Sequence, residues 1–259
     1  MTFFDTLILG IVEGITEFLP ISSTAHLEIF QQILQIPASD FMKSFVIAIQ
    51  LGAILAVVYL YWDKLFSSFI FVRNIIIAFI PTGIIGYILY GFIKSFLLGN
   101  ILIVASTLIL GGVIILLFEY KKGREQEVDI STKAEDMKVK DLLMLGCIQA
   151  LAVVPGVSRS GAIIIGGRML GLPKVLITEF SFLLAVPTML AATAYDLLRS
   201  GSNFLNEEWG SIGVGFVVSF VVAFVVIKWL LNYIKSHSFS IFGWYRIGVG
   251  LAILCLHFW

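Results

Sequence analysis

At 259 residues, 59% hydrophobic and only 13% charged, with a mean hydropathy of +1.01, the chain is far more apolar than a soluble domain, whose apolar share is about 45–50%. That composition excludes a water-soluble globular protein and points to an integral membrane protein. The net charge of +0 gives no sign of a nucleic-acid partner, so the useful electrostatic information is where the charges fall along the chain. Met1-Thr-Phe-Phe-Asp5 lacks a basic region and a small-residue cleavage site, so the N-terminus is expected to be retained.

The first apolar stretch, 4–34, is broken in its middle by Pro20-Ile-Ser-Ser-Thr24. Polar chemistry gathers just there. Glu13 and Glu17 are four apart and share one helix face, where they repel unless a cation, a proton or a basic group lies between them. Pro20 stops that helix. Ser22, Ser23 and Thr24 then begin a second short helix, whose unpaired backbone N–H groups and hydroxyls face any arriving anion, with His26 close by. Spans follow at about 44–61, 74–91 and 100–118, each long enough to cross a bilayer. A charged segment, 119–140, is expected to be a solvated, partly disordered linker. A second broken stretch, 141–170, is interrupted by Pro155-Gly-Val-Ser-Arg-Ser160, and three more spans lie at about 179–195, 211–230 and 242–258. Cys147 and Cys255 sit in apolar runs without pairing or ligand spacing and are expected to be small buried hydrophobes.

Each broken stretch reads as two half-helices, and irregular backbone at membrane depth is tolerated only inside protein or beside a wet cavity. The two turns should therefore face each other or share a cavity. Loop charges set the orientation. Lys64 and Arg73, the cluster Lys121, Lys122, Arg124, Lys133, Lys138 and Lys140, and Lys228 with Lys235 mark cytoplasmic loops, leaving 92–99 (with Lys94) and 196–210 (Asp196, Arg199, Glu207, Glu208) outside. That alternation closes only if 4–34 and 141–170 are re-entrant hairpins entering from opposite faces. A displacement of 136 (146 − 10) supports this, placing Gly10 on Gly146, Glu13 on Gln149, Ser22 on Ser158, Ser23 on Arg159 and Thr24 on Ser160. The expected fold is thus all-α: an inverted-topology repeat with six transmembrane helices and two re-entrant helical hairpins, 1–118 and 141–259 being the two copies. Small residues on the spans make a homodimer plausible.

Arg159 is the sharpest residue of the second half, since a guanidinium near mid-membrane is expensive and is usually kept for function. Among Gly156, Ser158, Ser160 and Gly161 it has the makings of a phosphate cradle. Plainer readings stand beside this one. Glu13 and Glu17 could form structural ion pairs with Arg159, the serines could be helix caps, and His26 could be a structural histidine. Gln50 could line the site or hydrogen-bond between helices. Glu179 starts its helix, where the dipole favours a carboxylate anyway. Gly166 and Gly167 suit close helix packing, while His237 and His257, near span ends, are expected to be interfacial.

The segment from Glu13 to His26 resembles the glutamate-rich first motif of the bacterial undecaprenyl-diphosphate phosphatases of the bacitracin-resistance type, and Pro155-Gly-Val-Ser-Arg-Ser-Gly161 resembles their second motif. Ile49 to Val57 and Glu179 to Pro187 are also similar to family segments, so the likeness covers essentially the whole chain. Ile163 stands where many members have threonine, and Ala25 where glycine is common. The resemblance implies hydrolysis of a polyprenyl diphosphate lipid, undecaprenyl diphosphate, to the monophosphate with a divalent cation. The place implied is the outer (periplasmic) face of the bacterial cytoplasmic membrane, where the reaction recycles the carrier for cell-wall polymers.

On that basis Arg159 is expected to clamp phosphate, helped by Ser22, Thr24, Ser158, Ser160, Gly156 and Gln50, while Glu13 and Glu17 hold the cation, Mg²⁺ or Ca²⁺. Attack could come from Ser23, from His26 or from metal-activated water; Ser23 with His26 as acid/base is preferred. The rival class is a lipid-phosphate or anion transporter, since an inverted repeat with broken helices also suits alternating access. The orientation is testable. In a version lacking Cys147 and Cys255, single cysteines at Lys133 and Asn203 should label from opposite sides with an impermeant reagent, and labelling from one side would overturn the inverted layout.

Overall fold

A computed structural model describes residues 1–92, 100–122, 133–200 and 209–258. The loop charges Lys94, Arg124, Glu207 and Glu208 and the side chains of Lys122, Asp196 and Arg199 lie outside the described part. The described residues form eleven α-helices: α1 (Phe3–Thr16), α2 (Ser23–Ile33), α3 (Asp40–Leu60), α4 (Trp62–Ser67), α5 (Phe69–Phe92), α6 (Ile101–Lys122), α7 (Val139–Ala150), α8 (Arg159–Met169), α9 (Lys174–Ser200), α10 (Trp209–Ser236) and α11 (Ser240–Phe258). Six of them, α3, α5, α6, α9, α10 and α11, are long and apolar enough to cross a membrane. The chain is an all-α integral membrane protein.

The four remaining longer helices pair as two hairpins, α1 with α2 and α7 with α8. At 14, 11, 12 and 11 residues they reach only about 16–21 Å, short of the roughly 30 Å hydrocarbon core. None can span alone. Local features recur at the displacement read from the sequence: α2 and α8 both begin and end 136 residues apart, and Ser22 (φ 74°) matches Ser158 (φ 72°) at 158 − 22 = 136. Gln35 and Gly171, again 136 apart, both adopt the left-handed conformation that ends these helices.

Packing repeats too, with the halves exchanged. The arm α1 lies on α10 of the second half, and α7 lies on α5 of the first. Close approach needs glycine at matched points. A Cβ on Gly10 would come within 3.0 Å of the Gly215 carbonyl, and one on Gly146 within 2.2 Å of the Ala78 carbonyl. The equivalent spans α3 and α9 pack on each other at the centre, and α6 packs on α11. Every span leaves more than half of its apolar window unburied, as a bilayer solvent permits, and α3 and α9 are the most buried.

Several expectations change. Cys147 and Cys255 are exposed, on outward helix faces, not buried. Residues 133–137 are not a loose tether: a 3₁₀ turn (Ala134–Asp136) docks on α5, with Asn74 donating to the Ala134 carbonyl at 2.9 Å and Ala134 and Met137 buried. Charge alone hid those two apolar anchors. α9 begins at Lys174, so Glu179 sits beyond the helix start, where it pairs with Lys64 at 2.8 Å. The expected loop after the first span contains α4, whose exposed Trp62 and Phe66 suit a membrane interface. Gly166 and Gly167 do pack closely, against Ile148 and Ile177.

Candidate active site

The first turn begins where α1 gives out. Glu17 caps the helix, its N–H donating to the Glu13 carbonyl at 2.9 Å, and Pro20 prevents the helix from resuming along its axis. Ser22 then takes a positive φ, an uncommon conformation for a residue with a side chain, and α2 starts without a side-chain cap. In the second turn a 3₁₀ segment (Leu151–Val153) precedes Pro155 and Gly156, which has φ +87°. Gly156 cannot be larger, since a Cβ there would lie 2.1 Å from Thr107 Oγ1. Ser158 caps α8, its Oγ accepting from the Gly161 N–H at 3.2 Å.

The two turns meet. Arg159 Nη2 donates to Glu17 Oε1 at 2.9 Å and Nη1 to the Ser181 carbonyl at 2.8 Å, with both side chains of the ion pair almost fully buried. Ser23 Oγ donates to the other Glu17 oxygen at 2.5 Å. Phe18 supports the junction, packing edge-on against Phe182 with the Arg159 guanidinium 5.9 Å from its ring. A cavity of about 150 Å³ opens between the turns, lined by Glu17, Ser22, Ser23, Thr24, Gln50, Gly156, Ser158 and Arg159 among others. That is small beside the 300–1,000 Å³ usual for drug-sized ligands, so it suits a phosphate headgroup and leaves a prenyl chain outside.

Three expected site residues lie off the cavity lining. Ser160 Oγ donates to the Leu19 carbonyl at 2.8 Å, a tie between the turns. His26 has both ring nitrogens engaged. A carbonyl only accepts, so Nδ1 carries the proton that goes to the Ser22 carbonyl at 2.7 Å, and Nε2 of the neutral ring accepts from the Tyr245 hydroxyl at 2.8 Å. In this arrangement the imidazole fixes Ser22 and has no nitrogen aimed at the cavity. Glu13 is fully buried behind Glu17, and neither of its oxygens has a hydrogen-bond partner among the described residues.

That orphaned carboxylate bears on the expected cation. The described residues hold no cluster of three or more His, Cys, Asp or Glu suited to a metal. Two carboxylates one helical turn apart, one of them buried without a partner, nevertheless fit a hard oxygen-loving cation whose other ligands are water and phosphate.

Sequence reasoning passed over Arg246. It lies in α11 at 1% exposure and donates to five carbonyls, those of Pro20, Thr107, Leu108, Gly156 and Val157. The signal was present, because a cation inside an apolar span is as costly here as at Arg159. Thr107, which reaches the Pro155 carbonyl at 2.7 Å, Tyr245, Ser181 and the cavity-lining Met189 carried no comparable sequence mark.

Residues 6–252 match the family model described as bacitracin resistance protein BacA. The chain belongs to the BacA family. Similar proteins include the undecaprenyl-diphosphatase of Aquifex aeolicus, 51% identical over 252 residues and covering 97% of each chain. Those of Sulfurihydrogenibium sp., 48% identical over 97% of this chain and 98% of the relative, and Wolinella succinogenes, 45% identical over 98% of each, carry the same name.

The arrangement around His26 gives a prediction for this BacA protein. Asparagine can place a side-chain N–H close to where Nδ1–H stands but cannot carry a proton between groups. His26→Asn should retain turnover within about tenfold of wild type while His26→Ala loses on the order of 10²-fold or more, the larger loss following from a misplaced site. Equal, complete loss in both purified, folded variants would instead return His26 to proton transfer.

Proposed function

We propose that this chain is a membrane phosphatase that hydrolyses undecaprenyl diphosphate to undecaprenyl phosphate and inorganic phosphate. The observation that carries the mechanism is the Ser23 hydroxyl on Glu17, beside the Arg159 guanidinium, in a polar cavity between two intramembrane turns. BacA membership and relatives named undecaprenyl-diphosphatase support the substrate. That the site opens to the periplasmic side of the bacterial inner membrane is part of this proposal and follows the resemblance to the bacitracin-resistance phosphatases.

In this mechanism the diphosphate enters between the turns with its prenyl chain still in lipid. Arg159 has five N–H donors, and two are spent on Glu17 and Ser181, leaving others for phosphate oxygens. Ser22, Thr24, Ser158 and Gln50 line the remaining wall, and the amides opening α2 add positive potential. Glu17 takes the Ser23 proton as Ser23 Oγ forms a bond to the terminal phosphorus and the bond from that phosphorus to the bridging oxygen breaks, releasing the lipid monophosphate. Glu17 passes that proton to the departing lipid phosphate, then takes a proton from the water that attacks the phosphoserine phosphorus and hands it to Ser23 Oγ as the phosphorus–Oγ bond breaks, freeing inorganic phosphate. Glu13 and Glu17 are the residues that would hold a divalent cation, which supplies charge neutralisation to the diphosphate when bound. Arg159 carries the larger share of transition-state stabilisation that belongs to the protein, as phosphoryl transfer chiefly requires.

The experiment is paired. Purified in detergent, where no second compartment exists, wild type should release phosphate from a prenyl diphosphate, whereas a pure transporter would release none. Lysine keeps the charge at 159 without the planar fork, so Arg159→Lys should lower turnover by on the order of 10²-fold with little change in Tm. Near-normal turnover in that variant would make the Glu17 to Arg159 contact a structural ion pair. Glu13→Gln should abolish stimulation by added Mg²⁺ or Ca²⁺, and undiminished wild-type activity in a strong chelator would remove the cation from the account.

A further inference from the structure

Arg246 is buried at 1% exposure in a transmembrane helix, and its hydrogen bonds all run to neutral main-chain oxygens. Its Nε reaches Leu108 at 3.4 Å, Nη1 reaches Pro20 and Val157 at 3.0 Å each, and Nη2 reaches Thr107 at 3.1 Å and Gly156 at 2.9 Å. A guanidinium has five N–H groups, and here five carbonyls receive them. The acceptors are distributed with a purpose that packing alone does not require. Pro20 belongs to the first turn, Gly156 and Val157 to the second, and Thr107 and Leu108 to α6. One rigid planar group thereby joins the two turns to each other and to a transmembrane span.

Burying that group is expensive, and the fold makes room for it. Gly111 on α6 faces the guanidinium so closely that a Cβ there would lie 2.1 Å from Nη2. Arg246 does not line the cavity, but Gly156, whose carbonyl it holds, does. We propose that Arg246 is the positioning residue of the site: it sets the separation of the two turns at which Arg159 reaches Glu17 and the cavity fits phosphate. The inference rests on the phosphatase reading of the cavity and adds to it a residue that touches neither substrate nor cation. A shift of about 1 Å in catalytic geometry can cost on the order of 10²-fold in rate, which sets the scale expected here.

Two variants test this on the full-length protein. Arg246→Lys keeps a cation but offers one flexible ammonium to carbonyls on three segments. Gly111→Ala leaves Arg246 intact, adds the better helix former, and pushes the guanidinium off its acceptors. Both should lower kcat/KM for a prenyl diphosphate by about 10- to 100-fold per folded molecule, and both should weaken inhibition by inorganic phosphate about tenfold, since the cradle itself is displaced. A residue that only stabilises the fold would lower Tm and yield while leaving kcat/KM and phosphate inhibition of the folded fraction unchanged. That result in Gly111→Ala overturns the proposal even if Arg246→Lys fails to fold. Wild-type protein that hydrolyses nothing would fail the phosphatase reading instead. Inorganic phosphate raising the Tm of wild type but not of Gly111→Ala would still support the positioning role, and equal shifts in both would sink it.

Discussion

The structure depends on a buried ion pair between two turns that are distant in the sequence. Glu17 and Arg159 are 142 positions apart, yet their side chains meet at 2.9 Å with almost no exposure. Removing both charges from water costs several kcal/mol per ion, so such a pair survives only where further hydrogen bonds satisfy it. Here Ser23 supplies one to Glu17 and the Ser181 carbonyl accepts one from Arg159. The same bonds that offset the desolvation also prepare the groups for chemistry. Glu17 is held against the hydroxyl it would deprotonate, and Arg159 keeps donors to spare for phosphate.

Around that pair the fold works by repetition with divergence. Ser22 and Ser158 share a strained backbone conformation at equivalent positions, a feature that persists only where the surroundings impose it and that tends to gather at functional sites. The surroundings differ, however. The first hairpin carries Glu13 in α1, Glu17 at that helix's cap and Ser23 at the start of α2, whereas the second has Gln149 and Arg159 at the positions equivalent to Glu13 and Ser23. Gln149 donates to Thr82 and Thr188 and so serves packing, while neither Glu13 oxygen has a hydrogen-bond partner among the described residues. One half has become acidic and the other basic. Similar turns thus deliver an asymmetric site, with a carboxylate on one wall and a guanidinium on the other.

Much of this was legible in the sequence, for definable reasons. Span number and the two interrupted stretches follow from hydropathy length and from proline, which act locally. A spacing of 136 was visible because the residues that mark it are few and polar, and the helices α2 and α8 begin and end at that same spacing. Cavity-lining residues were found where chemistry is costly in lipid, as with Glu17 and Arg159. What was not legible is direction. Ser160 and His26 sit in the right motifs, but helical phase turns their side chains toward Leu19 and Tyr245 and away from the cavity. Arg246 was missed because its partners are backbone carbonyls of distant segments, and carbonyls leave no trace in side-chain patterns. The docked turn at 133–137 escaped because two apolar anchors were outvoted by the charges around them.

The central claim is that Glu17 and Arg159 act as one unit across the junction of the turns. A double-mutant cycle on kcat/KM measures this directly, using Glu17→Gln, Arg159→Lys and the combination in detergent-purified protein of matched Tm. If each residue needs the other to be placed, the double variant should be little worse than the poorer single variant. Losses that simply multiply would mean that the two residues contribute independently, and would contradict a site assembled by their contact.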